Sequence, residues 1–330
     1  MLARLMAQSL ESYLGISAET RLIVAVSGGA DSLALLHLLT EQGGKLGLEM
    51  IVAHYNHHLR LSAQRDADHV AHVAQVWGLP CIVGHGHVEA LAAAWNLGIE
   101  AAARRARYTF LAQVAQEKQA QTVVTAHHAD DQAETVLLQA LRGTSAGLGL
   151  RPVSPLPHAP HLRLWRPLLK ASKDQLLEYC QRYEIAYMQD ESNDDIRFMR
   201  NYLRRSIAPL LAHINSSWVA ALGRFAEAQA TDADFIAQCY AEQVAPHEQH
   251  GHNYRRLPKA LYRQIHQALA IRWIRASAQA LGQTEDLGQE RLLAAHRLAS
   301  IGETGKRAQL PHGLELHVER STIAVIRLED

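Results

Sequence analysis

The sequence predicts an α/β protein in which a parallel sheet is flanked by helices, and three observations lead there. Four short apolar runs rich in β-branched residues recur at 22–26, 50–53, 81–83 and 122–126. Between them lie stretches long enough for crossover helices, such as 67–77 and 92–116. The first run ends in Ser27-Gly28-Gly29 and passes directly into helical spacing at Leu33, Leu36, Leu38 and Leu39. Strand, helix, strand in repetition implies parallel strands buried on both faces, with ligands bound at their carboxyl ends.

Residues 1–11 carry one basic residue, Arg4, and read as an amphipathic helix, not a signal peptide. Four prolines at 152, 155, 157 and 160 predict a long surface connection there. We assign 1–215 to the α/β domain and 216–330 to a smaller, mostly helical domain. Trp218, Leu222, Phe225 and Ala226 have helical spacing, as do Leu261, Ile265 and Leu269. Runs at 314–318 and 323–326 predict a closing β-hairpin.

Composition narrows the class. With 330 residues, 48% of them hydrophobic and 20% charged, the chain is neither disordered nor short of a core. No apolar run approaches 18 residues, so no membrane span is expected, and a cytoplasmic protein is the default. The three cysteines, Cys81, Cys180 and Cys239, stand far apart, which supports neither a disulfide framework nor a cysteine zinc site. Basic and acidic residues balance at 33 each, so net charge does not announce a nucleic-acid partner. Twenty histidines raise metal binding without settling it.

Ser27, Gly28, Gly29, Ala30, Asp31 and Ser32 fill the strand-to-helix turn. Glycines let the backbone approach a ligand closely, and the helix start offers unpaired N–H groups and a positive dipole end to phosphate. The lysine of G-x-x-x-x-G-K-[ST] is absent. A plain turn with Asp31 or Ser32 as N-cap is the structural alternative.

The six residues match S-G-G-x-D-S, and here the chain resembles the PP-loop ATP pyrophosphatase superfamily, with its adenine nucleotide α-hydrolase-like fold. Further segments resemble one family within it, the tRNA(Ile)-lysidine synthetases. They are His54-Tyr55-Asn56-His57-His58-Leu59-Arg60, the segment Gly98-Ile99-Glu100 through Arg104, Arg107 and Tyr108, and His127-His128-Ala129-Asp130-Asp131-Gln132-Ala133-Glu134-Thr135. Arg166-Pro167-Leu168-Leu169, Asp190-Glu191-Ser192-Asn193, Arg200-Asn201 and Arg204 continue the likeness, and Arg142-Gly143-Thr144-Ser145 resembles a compressed family loop. Arg105 and Glu191 depart from it.

The resemblance implies an enzyme, an ATP-dependent ligase. ATP adenylates the C2 oxygen of the wobble cytidine in tRNA(Ile) bearing a CAU anticodon, releasing pyrophosphate. Free L-lysine then displaces AMP to form lysidine. The implied cofactors are ATP and Mg²⁺. Ser27, Gly28, Gly29, Ala30, Asp31 and Ser32 would hold the phosphates, Asp31 would favour Mg²⁺, and His54 would lie near the adenine. Asp131 and Glu134 would attract the amino groups of lysine, and Arg107 would stabilise a phosphate. Asp31, Asp131 and His127 are the candidates for taking the amine proton. Arg104, Arg200, Arg204, Arg272 and Arg275 are the candidate tRNA contacts, since residues 254–307 carry 10 basic against 4 acidic residues. A homodimer is implied too. Many relatives carry a further C-terminal domain, so tRNA selection is expected to rest on the smaller domain here.

Each segment also has a structural alternative. Glu100 and Arg104 fit a surface ion pair, Asp130 a helix cap, and the His127-His128 pair a hydrogen-bonded strand end. The stretch 247–252 fits a solvated loop better than a chelate. Rival functions are another PP-loop tRNA-modifying or amide-forming synthetase, a metal-dependent phosphohydrolase, or a nucleotide-binding module without catalysis.

Overall fold

A computed structural model of the chain describes residues 1–15, 20–58, 63–143, 148–188, 199–282 and 287–328. Leu59, Arg60 and the Asp190 to Asn193 segment lie outside the described residues, as does most of the loop after Arg142. The chain divides into two compact units, one of Met1–Gln139 and Gly149–Ala226, the other of Ala140–Leu148 and Glu227–Asp330. The division falls inside a long helix, beyond the sequence-based boundary at 215.

The first unit runs α1 (Leu2–Leu14), β1 (Arg21–Ala25), α2 (Ala30–Gly43), β2 (Glu49–Asn56), α3 (Ala63–Val76), β3 (Cys81–His85), α4 (Val88–Trp95), α5 (Ile99–Glu117), β4 (Thr122–Val124) and α6 (Ala129–Leu141). It continues with β5 (Val153–Leu156), β6 (Ala159–Trp165), α7 (Lys173–Arg182), α8 (Met199–Tyr202), a π-helical turn Leu203–Ile207 and α9 (Ala208–Ile214). The sheet order is β3-β2-β1-β4-β6-β5, parallel except for the β5 edge. Strand alternation explains its two dry faces. Leu22 and Val24 pack with Met6, Leu10 and Leu35 of α1 and α2, whereas Ile23 packs with Tyr108, Leu111 and Val114 of α5. β1 pairs on one side with β2 and on the other with β4, so the strand order reverses between them. The loops leaving β1 and β4 therefore open at a topological switch point.

One expectation needs correction, and another gains detail. The proline-rich segment is not a surface connection but the β5–β6 hairpin, turned at His158 with φ 65°. Pro155 is tolerated because β5 is an edge strand with a register shift, where a missing N–H costs little. The stretch 92–116 is not one helix. Asn96 takes the left-handed conformation as the C-cap of α4, and Gly98 starts α5.

The second unit holds most of α10 (Trp218–Gln243), then β7 (Gln249–His250), β8 (Tyr254–Pro258), α11 (Lys259–Gln264), α12 (Gln267–Ala280), α13 (Gln289–Ile301), β9 (Arg307–Leu310), β10 (Leu314–Val318) and β11 (Thr322–Arg327). The closing hairpin expected from sequence is β10–β11, the middle of an antiparallel sheet ordered β7-β8-β11-β10-β9. Short strands such as β7, two residues long, carry too little alternation to be read in advance. Trp273, Ile274, Leu292, Leu316 and Val325 form the core beneath that sheet.

Candidate functional site

Gly28 has φ +91°, a conformation that suits glycine, and a Cβ there would stand 3.2 Å from Val70 Cγ2. The turn then closes on itself: Ser32 Oγ donates to the Gly29 carbonyl at 2.9 Å and accepts from the Ser27 N–H at 3.2 Å. Neither Asp31 nor Ser32 is the N-cap of α2. Gly29 is, and no side chain caps the helix. The first intrahelical bond is Leu33 N–H to the Gly29 carbonyl, so the N–H groups of Ala30, Asp31 and Ser32 face outward from an open helix start. Such a terminus binds anions.

At the end of β4, His127 and His128 diverge. His128 is buried, its Nε2 3.6 Å from Asp31 Oδ2 and 3.5 Å from Asp131 Oδ2, its Nδ1 3.3 Å from Asp130 Oδ2. Burial alone would lower its pKa, but Asp130, Asp31 and Asp131 raise it to about 10, so it is an imidazolium at neutral pH. His127 lies 2.8 Å by Nδ1 from Thr125 Oγ1, and burial plus Arg166, Arg107, Arg104 and Arg200 hold it well below the usual histidine range. Adjacent residues thus carry opposite charge states. Since the folded pKa of His128 exceeds its ordinary 6.5, its contribution to stability is complete below pH 6.5 and disappears as pH rises through about 10. Urea unfolding should show the gap between wild type and His128→Asn shrinking from pH 6 to pH 10. A gap independent of pH would contradict this charge assignment.

Asp31 is held from two sides. Lys173 Nζ donates to its oxygens at 2.7 and 2.9 Å. Burial raises the Asp31 pKa, but His128 and Lys173 more than offset this and hold it below the usual carboxylate value. Asp130 reaches beyond its own helix. Its Oδ2 accepts from the Lys173 N–H at the start of α7, while Asp131 Oδ2 accepts from the His128 N–H at the start of α6.

Asp131 and Glu134 face the same way, as their spacing on α6 requires, and Arg204 lies across both. Its Nη2 is 3.0 Å from Asp131 Oδ1 and 3.0 Å from Glu134 Oε2, and its Nε donates to Glu134 Oε1. Glu134 is buried; burial raises its pKa against the lowering influence of Arg204. Arg204, a candidate tRNA contact from sequence, is thus placed on the carboxylate pair. Arg200 reaches Thr135 Oγ1 at 3.4 Å.

Arg104 and Arg107 lie over the buried Tyr108 ring at 4.8 and 5.3 Å. Burial lowers the Arg104 pKa, while Tyr108 and Glu100 raise it, so the Glu100–Arg104 pairing remains as a weak attraction along α5. His54, buried on β2, donates through Nδ1 to the Val26 carbonyl at 2.8 Å, which joins the β2 end to the strand-to-helix turn. Arg272 and Arg275 sit on α12 of the second unit, away from its buried face of Leu269, Trp273 and Ile274.

Three residues at the site were not singled out from sequence. Lys173 carried one local signal, the Ser172-x-x-Gln175 capping box that starts α7. His128 was quoted but given no role. Arg166 is buried, bonded through Nη1 to the Arg151 carbonyl and Ser154 Oγ, and its Nε has no hydrogen-bond partner among the described residues.

Mg²⁺ usually takes one or two carboxylates and completes its shell with water and phosphate. Asp31, at the mouth of an open helix start, fits that demand. No group of three or more histidine, cysteine, aspartate or glutamate side chains arranged for a metal occurs among the described residues.

An open glycine turn at the switch point of a parallel sheet is a nucleotide-binding arrangement shared by several α/β families. The PP-loop domain family matches residues 2–211, and the chain belongs to that family. Within it, the chain is similar to the tRNA(Ile)-lysidine synthase of Geobacter sulfurreducens, 36% identical over 91% of this chain and 63% of that one. It is also similar to those of Nostoc, 36% identical over 66% of this chain and 61% of that one, and Thermus thermophilus, 38% over 72% and 44%. The chain spans less than two thirds of the length of these relatives. Its fold resembles the U34-tRNA thiolase NcsA from Methanococcus maripaludis, with a TM-score of 0.57 at 16% identity over 68% of this chain and 76% of that one. No described helix is long and apolar enough to cross a membrane.

Proposed function

We propose that the chain ligates L-lysine to C2 of the wobble cytidine of tRNA(Ile) with a CAU anticodon, consuming ATP. The observation that carries this is the contact of His128 with both Asp31 and Asp131, which makes the phosphate turn and the carboxylate pair one site. The similarity to tRNA(Ile)-lysidine synthases supports the choice of substrates. A cytoplasmic setting and a homodimer belong to the same reading.

The open N–H groups after Gly29 and the Ser27 hydroxyl would receive the ATP phosphates, with Asp31 holding Mg²⁺, which neutralises charge on the phosphate oxygens. The cytidine C2 oxygen bonds to the α-phosphorus, and the bond to the bridging oxygen breaks, releasing pyrophosphate. The amine of lysine then bonds C2, and AMP leaves. Arg107, in the cationic group around neutral His127, would stabilise the α-phosphate. That same group disfavours an imidazolium, so His127 suits hydrogen bonding better than taking the amine proton. Asp31, despite its burial, is held below the usual carboxylate value by His128 and Lys173 and is likewise a weak acceptor, so Asp31, Asp131 and His127 all remain candidates for the amine proton. Arg104 and Arg200 in the first unit, and Arg272 and Arg275 in the second, would meet tRNA phosphates. Arg204 would orient the carboxylates.

Asp131 and Glu134 would attract the ammonium groups of lysine through charge-assisted bonds, each worth roughly 1.5–3 kcal/mol. Asp131→Asn and Glu134→Gln should each raise the KM for lysine by about tenfold or more while the KM for ATP stays within about threefold. Steady-state kinetics with varied lysine checks this. An unchanged lysine KM in both variants would discard the assignment.

A further inference from the structure

Asp31 is asked to serve Mg²⁺, yet both its oxygens are already clasped by the Lys173 ammonium at 2.7 and 2.9 Å. Each oxygen keeps a second lone pair, but an ammonium and a Mg²⁺ on one carboxylate repel each other, which favours departure of the more mobile cation. The Lys173 backbone is anchored: its N–H donates to Asp130 Oδ2 at 2.9 Å, and the preceding Ser172 shares a reciprocal capping box with Gln175. The side chain is not anchored in that way. It is a flexible four-carbon stem, 40% exposed, ending in a compact charge. His128 stays beside Asp31 from the other side at 3.6 Å, so the carboxylate keeps a cationic neighbour when the ammonium leaves.

The geometry points to Lys173 as a phosphate ligand whose ammonium exchanges from Asp31 to the nucleotide. This rests on the reading of the Ser27–Ser32 turn as the ATP site. Without nucleotide, Lys173 and Asp31 neutralise each other. With Mg²⁺ and a triphosphate bound, Asp31 would be the carboxylate that holds the metal, and the Lys173 ammonium would turn to the β- and γ-phosphate oxygens. As the bond between the α-phosphorus and the bridging oxygen breaks, its electron pair ends on pyrophosphate, where the ammonium offsets the added charge. Lys173 keeps its protons throughout. The P-loop lysine missing from the turn is thereby supplied from the start of α7.

Titration calorimetry on the full chain, without tRNA or lysine, tests this with Mg²⁺ plus α,β-methylene-ATP and with Mg²⁺ plus pyrophosphate. Lys173→Met should weaken both ligands by at least about tenfold, and Lys173→Arg should recover to within about threefold. The Mg²⁺ concentration for half-maximal analogue binding should fall in Lys173→Met, because Asp31 is freed. Lys173→Gln repeats the measurement if the methionine variant fails to fold, with melting temperatures taken for all. Unchanged pyrophosphate affinity would overturn the inference and leave Lys173 a partner of Asp31 alone. A rise in the Mg²⁺ requirement alongside a lower melting temperature would also overturn it, marking a structural role. Wild type that binds neither ligand would overturn the ATP-site reading itself.

Discussion

Asp31→Ala should lower kcat/KM for ATP-dependent pyrophosphate release by about 10³-fold, close to 4 kcal/mol of transition-state stabilisation. Asp31 is the one carboxylate on the phosphate turn, and it touches two cations, Lys173 and His128. Its loss removes the proposed Mg²⁺ ligand and leaves both cations facing the phosphates without a counter-charge. Removing single electrostatic groups of this kind costs enzymes about 10²–10³-fold, and metal loss adds to that. Asp31 also partners the buried His128, so the change should cost the fold on the order of 1–3 kcal/mol, which is measured separately from the kinetic loss. Coupled detection of pyrophosphate measures the first quantity and urea unfolding the second. A drop smaller than tenfold would remove Asp31 from the reaction.

The second large effect concerns stability. Trp165 ends β6, is 1% exposed, and stacks on Tyr13 with ring centroids 4.3 Å apart. Its backbone carbonyl accepts from Thr125 N–H, two residues before the histidine pair. Trp165→Ala opens a cavity between α1 and the sheet and should cost about 3–5 kcal/mol. Guanidinium unfolding followed by far-ultraviolet circular dichroism checks it. A loss below about 1.5 kcal/mol would mean that the ring is not packed as described. The carboxyl ends of β4 and β6 are bonded together here, so weaker nucleotide binding should accompany the lost stability.

What the sequence revealed was local, and what it concealed was not. β1, β2 and β4 announced themselves because strands buried on both faces read as unbroken apolar runs, and β3, a half-buried edge strand, showed through Cys81-Ile82-Val83. β5 was hidden by Pro155, which its edge position accepts, and β6 by Pro160, which lies ahead of the residues paired with β4, facts about neighbours and not about composition. The helix break at Asn96 depended on one residue entering the left-handed region, which asparagine permits without requiring. The same division runs through the site. Ser27 to Ser32 and His127 to Glu134 are contiguous, so their spacing on a turn or a helix could be read directly. Lys173 meets Asp31 across 142 residues and Arg204 meets Glu134 across 70. Pairings at that distance depend on which strands neighbour which, here on β4 lying beside β1. The charge states of His127 and His128 were beyond reach for the same reason. The sequence places the two side by side, but three aspartates and four arginines brought in by the fold separate their behaviour.

ATP, lysine and tRNA are proposed to meet in one site, and a single incubation distinguishes this from the alternatives. The chain is incubated with Mg²⁺, ATP, radiolabelled lysine and tRNA(Ile) bearing a CAU anticodon, and pyrophosphate release and label in the tRNA are followed together. The account predicts one lysine incorporated per pyrophosphate, with AMP as the other product. Pyrophosphate without incorporation would discard lysine as the nucleophile. Inorganic phosphate released without any need for tRNA or lysine would contradict the account altogether and leave a hydrolase in its place.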